Sequence, residues 1–122
     1  MKKSSWITLG IIVVAIIALF LLPKGSNDTK LDSFAQCIKD SGTTFYGAFW
    51  CPHCQAQKKL FGGSVSKLPY VECSNPDQSQ NATCNNMGIQ SYPTWVFPDH
   101  STTTGEVPLD ELASKTNCSL PK

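Results

Sequence analysis

Two cysteines separated by two residues, Cys51-Pro52-His53-Cys54, follow directly on the apolar run Phe45-Tyr46-Gly47-Ala48-Phe49-Trp50, and this junction constrains the chain more than any other feature. A strand that passes into a helix through Pro52 puts the first cysteine at the helix N-terminus. There the free backbone N–H groups and the helix dipole stabilise a thiolate. The thiolate is the attacking species in thiol–disulfide exchange, so the junction makes a redox centre from ordinary side chains. Two other readings compete. Cys-x-x-Cys is half of a zinc site, but no second close Cys/His pair follows at the usual spacing, and Cys73 and Cys84 stand too far apart to form one. The pair could also be a purely structural disulfide.

Near the N-terminus, Met1-Lys2-Lys3 precedes an apolar stretch from Trp6 to Leu22, broken only by Thr8 and Gly10 and closed by Pro23-Lys24. Its seventeen residues would extend roughly 26 Å as a helix, the short end of a membrane span. A cleaved signal peptide is the alternative. Such peptides have a shorter apolar region and end at small residues, whereas this stretch ends in Phe20-Leu21-Leu22-Pro23. The organisation expected is therefore a cytoplasmic N-terminus at 1–5, a transmembrane anchor at 6–22, a tether at 23–30 and one folded domain at 31–122. Lys2 and Lys3 favour the cytoplasmic side, while Lys24 and Lys30 weaken that signal.

Six cysteines in 122 residues suit an oxidising compartment, which places the domain outside the cytoplasm on a single-pass cell-membrane anchor. The net charge of +1 and 16% charged residues leave no basic patch for nucleic acid.

Along the domain, Leu31, Phe34, Ala35 and Ile38 mark one face of a helix that Asp40-Ser41-Gly42 stops. Thr43 to Trp50 reads as a buried strand, and the helix after Pro52 runs through Gln55, Gln57, Lys58 and Lys59 until Gly62-Gly63 interrupts or ends it. Further strands are expected at Pro69–Cys73 and Thr94–Phe97, with a fourth possible over Ser101–Val107. A short helix near Asn81–Met87 stops at Gly88, and a last helix starts at Pro108. This order predicts an α/β domain with a mixed four-stranded sheet flanked by helices on both faces.

These elements, with Trp50-Cys51-Pro52-His53-Cys54 at the first strand–helix junction and Tyr92-Pro93-Thr94 before the third strand, resemble the thioredoxin fold from Leu31 to Cys118. Five segments sharpen the likeness: Phe45 to Cys54, Gln57-Lys58, Leu60-Phe61-Gly62, Tyr70-Val71-Glu72-Cys73 and Ser91-Tyr92-Pro93-Thr94-Trp95. They resemble the thioredoxin-like domain of vitamin K epoxide reductase (VKOR) homologues, which is often fused to a quinone-reducing membrane protein. The resemblance implies a cis peptide before Pro93, packed on the active-site disulfide and docking substrate backbone; sequence statistics alone favour trans. It also supports a disulfide between Cys73 and Cys84, among the three pairings open to the four remaining cysteines. The other pair, Cys37 and Cys118, would then tie the first helix of the domain to the last. Either bridge could be a second redox relay instead of a structural staple.

Phe45 departs from the pattern: ordinary thioredoxins carry a buried acid there, able to accept a proton from the resolving thiol. Pro52-His53 resembles the dipeptide of the periplasmic oxidants of the DsbA family. Cys51 is the expected nucleophile and Cys54 the resolving thiol. His53 would add positive charge or a hydrogen bond beside the Cys51 thiolate, or be a solvated helix residue. Trp50 would shield one side of the disulfide, or fill the core. His100 beside Asp99 reads as solvated.

Asn81-Ala82-Thr83 and Asn117-Cys118-Ser119 match the glycosylation pattern, which recurs by chance. The function expected is a membrane-anchored thiol–disulfide oxidoreductase. It would oxidise protein thiols and pass electrons to a VKOR-like partner, with no cofactor and no metal. The alternatives are a reductase or isomerase of the same fold, a soft-metal module holding copper(I) on Cys51 and Cys54 with His53 as a candidate further ligand, and a disulfide-stapled interaction domain.

Overall fold

The computed structural model describes residues 2–21 and 29–122, with side chains along the first helix described from 6 to 18. Most of the tether expected at 23–30 lies outside the described residues, as do Met1 and Leu22. Helix α1 spans Lys2–Leu21. Its described large side chains, among them Trp6, Leu9, Val13 and Ile17, stand exposed with no polar stripe between them. Among the described residues no helix is long and apolar enough to cross a membrane.

The domain follows as α2 (Asp32–Asp40), β1 (Thr44–Gly47), α3 (Pro52–Lys59), β2 (Tyr70–Glu72), α4 (Ala82–Asn86), β3 (Thr94–Val96), β4 (Thr102–Thr104) and α5 (Leu109–Thr116). The strands form one mixed sheet in the order β2-β1-β3-β4. The β1–β2 pair is parallel, and β1–β3 and β3–β4 are antiparallel. A parallel pair joined through α3, followed by a hairpin, is an α/β arrangement consistent with the thioredoxin-like fold.

Alternation along the strands divides the core. Phe45 pairs across the sheet with Tyr70 on one side and Trp95 on the other. Its ring stacks on Trp95 at 4.6 Å between centroids and meets Tyr70 edge-on at 5.1 Å. This row joins Phe34, Ala35 and Ile38 of α2 and Leu112 of α5 in the larger cluster. One residue on, Tyr46 points to the opposite face and packs with Cys73, Cys84 and Ile89, so α4 covers that side through Cys84. Two disulfides brace the whole: Cys37–Cys118 joins α2 to the chain just past α5, and Cys73–Cys84 joins the end of β2 to α4.

Three local differences from the sequence reading have physical causes. β1 ends at Gly47, because the chain then turns, Cys51 N–H bonding back to the Ala48 carbonyl at 3.1 Å. After α3 a short 3-10 helix covers Gly62–Lys67, opened by Gly62 at a φ of 52° that favours glycine. The fourth strand stops at Thr104, because residues 105–107 leave the sheet and cross to α3.

That crossing is held by Gln57, a fully buried polar side chain. Its Nε2 donates to the Val107 carbonyl at 2.9 Å, while its Oε1 accepts from Val107 N–H at 2.6 Å and from Trp95 Nε1 at 3.4 Å. Gln57→Ala would leave three buried polar groups without partners. We expect a loss of about 2–5 kcal/mol, read as a lower denaturant midpoint with an unchanged slope.

Candidate active site

Cys51 is the N-cap residue of α3. Its extended backbone precedes Pro52 in the first helical turn, and its Sγ accepts the Cys54 N–H at 3.4 Å. The two cysteines are free thiols, and both are buried, Cys51 at 5% and Cys54 at 0% exposure. Cys51 Sγ also lies 3.7 Å from the Tyr92 carbonyl, to which its S–H donates. The Tyr92–Pro93 peptide is cis. Cys51, Cys54 and Pro93 therefore meet at one place.

Trp50 is exposed, its indole Nε1 donating to Ser74 Oγ at 2.9 Å and its ring set edge-on to Tyr92 at 6.0 Å. His53 pairs with Glu106: Nδ1 is 2.8 Å from Glu106 Oε2, with both side chains exposed. An exposed pair of this kind contributes little to stability. His100 lies in the β3–β4 turn at a φ of 65° and is exposed. Cys37, Cys118, Cys73 and Cys84 are consumed in the two disulfides. Among the described residues no group of three or more His, Cys, Asp or Glu gathers that could hold a metal ion.

The Cys54 sulfur is enclosed. Burial and the hydrogen bond with Cys51 push the Cys54 thiol up to about 12, against opposing contributions from the Ala48 backbone and the Lys58 charge. Cys54 is therefore held protonated at neutral pH. The enclosure depends on Gly47. A Cβ there would lie 2.9 Å from Tyr70 Cε2 and 3.0 Å from Cys54 Sγ, inside van der Waals contact.

Glu72 escaped the sequence reading. Its Oε1 accepts backbone N–H groups from Phe49 at 3.1 Å and Ser74 at 2.9 Å, and its Oε2 accepts the Tyr70 hydroxyl at 2.7 Å. Gln55 Nε2 donates to the Phe49 carbonyl at 2.9 Å from the other side. The turn that aims Cys51 is thus held by side chains from β2 and α3. A carboxylate two residues past Tyr70 in a strand gave no pattern by which sequence could have singled it out.

No family model matches the chain. It is 36% identical over 140 aligned positions to an Arabidopsis thaliana protein named thiol-disulfide oxidoreductase LTO1, an alignment covering 93% of this chain and 37% of that protein. The chain thus spans little more than a third of the length of this curated relative.

Gly47→Ala tests the enclosure. We expect a destabilisation of about 1–3 kcal/mol in chemical denaturation, with Cys54 alkylated faster by a small thiol reagent as its packing opens. Unchanged stability and unchanged alkylation would show that the sheet absorbs the added methyl.

Proposed function

We propose that this chain is a thiol–disulfide oxidoreductase, held at a membrane by its N-terminal helix and acting on protein thiols outside the cytoplasm. The observation that carries the reading is the reduced Cys51–Cys54 pair at the start of α3, with the Cys51 sulfur serving as helix cap beside the Tyr92 carbonyl. A sulfur that accepts a helix-terminal N–H is placed where negative charge is favoured. The relative's name supports the same chemistry.

In the oxidising direction, a substrate thiolate attacks Cys51 Sγ of the Cys51–Cys54 disulfide and Cys54 departs as a thiolate. A second substrate thiol, deprotonated, then attacks the substrate sulfur of the mixed disulfide, and Cys51 leaves. The substrate loses two electrons to a new disulfide, and the Cys51–Cys54 pair gains them.

Pro52-His53 and the absence of a buried acid at Phe45 favour this direction. The likeness to the thioredoxin-like domain of VKOR homologues supports a quinone-reducing membrane protein of that kind as the electron acceptor. A shared membrane would raise the effective concentration of the two partners. The exposed apolar side chains of α1 support the anchor, since a helix apolar on every side is suited to lipid.

Single-cysteine variants of the full chain test the assignment. We expect Cys51→Ser to abolish exchange with a dithiol peptide and Cys54→Ser to accumulate a mixed disulfide through Cys51. Equal trapping by both variants would overturn the roles. Graded reduction with differential alkylation should open Cys51–Cys54 before Cys37–Cys118 and Cys73–Cys84. Early opening of Cys73–Cys84 would make that bridge a relay instead of a staple.

A further inference from the structure

Every reaction that makes or breaks the Cys51–Cys54 bond puts transient negative charge on the Cys54 sulfur. It arises when Cys54 attacks a mixed disulfide and when Cys54 is expelled from the Cys51–Cys54 bond. The sulfur is fully buried, where an unbalanced charge is costly. Phe45 fills the strand position at which the resemblance leads one to expect an acid, so no carboxylate assists from β1.

Lys58 lies one helical turn beyond Cys54 on α3, a spacing that puts both side chains on the same face. It is half-buried, whereas its neighbour Lys59 is exposed. Its Nζ sits 3.4 Å from the centroid of the Tyr70 ring. That ring is pinned by the hydroxyl's bond to Glu72 Oε2, and its edge crowds the same point above Gly47 as Cys54 Sγ. The ammonium, the aromatic platform and the resolving sulfur are therefore contiguous.

An aromatic face holds an ammonium without cancelling its charge. Lys58 has no carboxylate within ion-pair distance among the described residues; that role is taken for His53 by Glu106. The groups that favour negative charge on Cys54 are the Ala48 backbone and Lys58, and its own charge acts on Tyr70 and Tyr92. Of these Lys58 is the cation.

We propose that Lys58, docked on the face of Tyr70, is the residue that stabilises negative charge on the Cys54 sulfur each time that sulfur enters or leaves a disulfide. The role rests on the oxidoreductase reading and is the same in either direction of electron flow. In the resolving step Cys54 gives its proton to water. Its thiolate attacks Cys51 Sγ, the Cys54–Cys51 bond forms, and the bond from Cys51 to the partner sulfur breaks, releasing the partner as a thiolate. Cys54 and Cys51 are oxidised together, and the partner sulfurs are reduced. In the reverse sense Cys54 leaves as a thiolate and takes a proton from water.

The full-length, reduced chain is mixed with a chromogenic aromatic disulfide, which releases one coloured thiolate on attack by Cys51 and a second on resolution by Cys54. We expect Lys58→Met to leave the first release unchanged and to slow the second about three- to tenfold. That range corresponds to a rise of about one unit in the proton affinity of Cys54, partly offset by greater nucleophilicity. Lys58→Arg, which keeps the charge and stacks on aromatic rings, should restore the wild-type rate.

The equilibrium potential of the pair should not move, because Cys54 is protonated at neutral pH in the reduced state. A purely structural disturbance would shift the potential as well. Equal second-release rates in wild type and Lys58→Met would overturn the role of Lys58. So would a loss that Lys58→Arg shares. A wild-type chain that releases no second thiolate would overturn the oxidoreductase reading itself.

Discussion

The bond from the Cys54 N–H to the Cys51 sulfur is the interaction on which the site depends. Helix α3 has to satisfy its first free N–H groups, and it does so with the atom that would carry out the chemistry. Reactivity and helix capping are therefore the same contact. This explains why so much of the surrounding structure is devoted to one turn. β1 must end at Gly47, the chain must reverse through Ala48 to Trp50, and Cys51 must arrive with extended backbone against the Tyr92 carbonyl. Any slackness in that turn would loosen cap and nucleophile together.

The turn is held mainly by a carboxylate used for architecture. Glu72 spends its two oxygens on two backbone N–H groups and one phenol, so its charge orders the turn and the Tyr70 ring. The position where a buried acid would be expected is occupied by Phe45, which joins Tyr70 and Trp95 in an aromatic row through the middle of the sheet. The exchange is intelligible in energetic terms. A buried carboxylate at the sheet centre would need partners of its own, whereas a stacked ring adds apolar burial where the small domain needs it. The consequence falls on Cys54, which is left without a carboxylate on β1 and with Lys58 as the cation that acts on it.

What sequence could and could not disclose divides along physical lines. The Cys51-Pro52-His53-Cys54 junction was legible because Pro and Cys have narrow positional preferences at a helix start, and the strands were legible from β-branched and aromatic runs. Their ends were not. β1 stops at Gly47 rather than Trp50 because the chain turns there, and that turn is held in part by a hydrogen bond from Phe49 to Glu72, twenty-three residues away, a contact that no local pattern encodes. Gln57 was similarly hidden: it reads as an ordinary polar helix residue, and only the crossing of 105–107 shows it bonded to both sides of Val107. Asn81 matched a glycosylation pattern, yet its side chain caps α4 and donates to the Glu72 carbonyl at 2.7 Å. Local rules recover local structure, and the long-range polar contacts come only from the fold.

The two basic side chains of α3 nearest the cysteines illustrate how one helix can treat two sulfurs differently. His53 projects into solvent and is matched by Glu106, so whatever charge it carries is screened by water and by a neighbouring carboxylate. Lys58, one turn further along the helix, is half-buried on an aromatic face with no ion-pair partner among the described residues. Less water and no counter-ion mean that its field reaches further into the protein. The Cys51 sulfur thus meets a backbone N–H at the helix start, and the Cys54 sulfur the Ala48 backbone and the charge of Lys58. In the proposed mechanism, separate supports would let the first attack and the second release be tuned independently, because a change at residue 58 need not disturb the cap at residue 51.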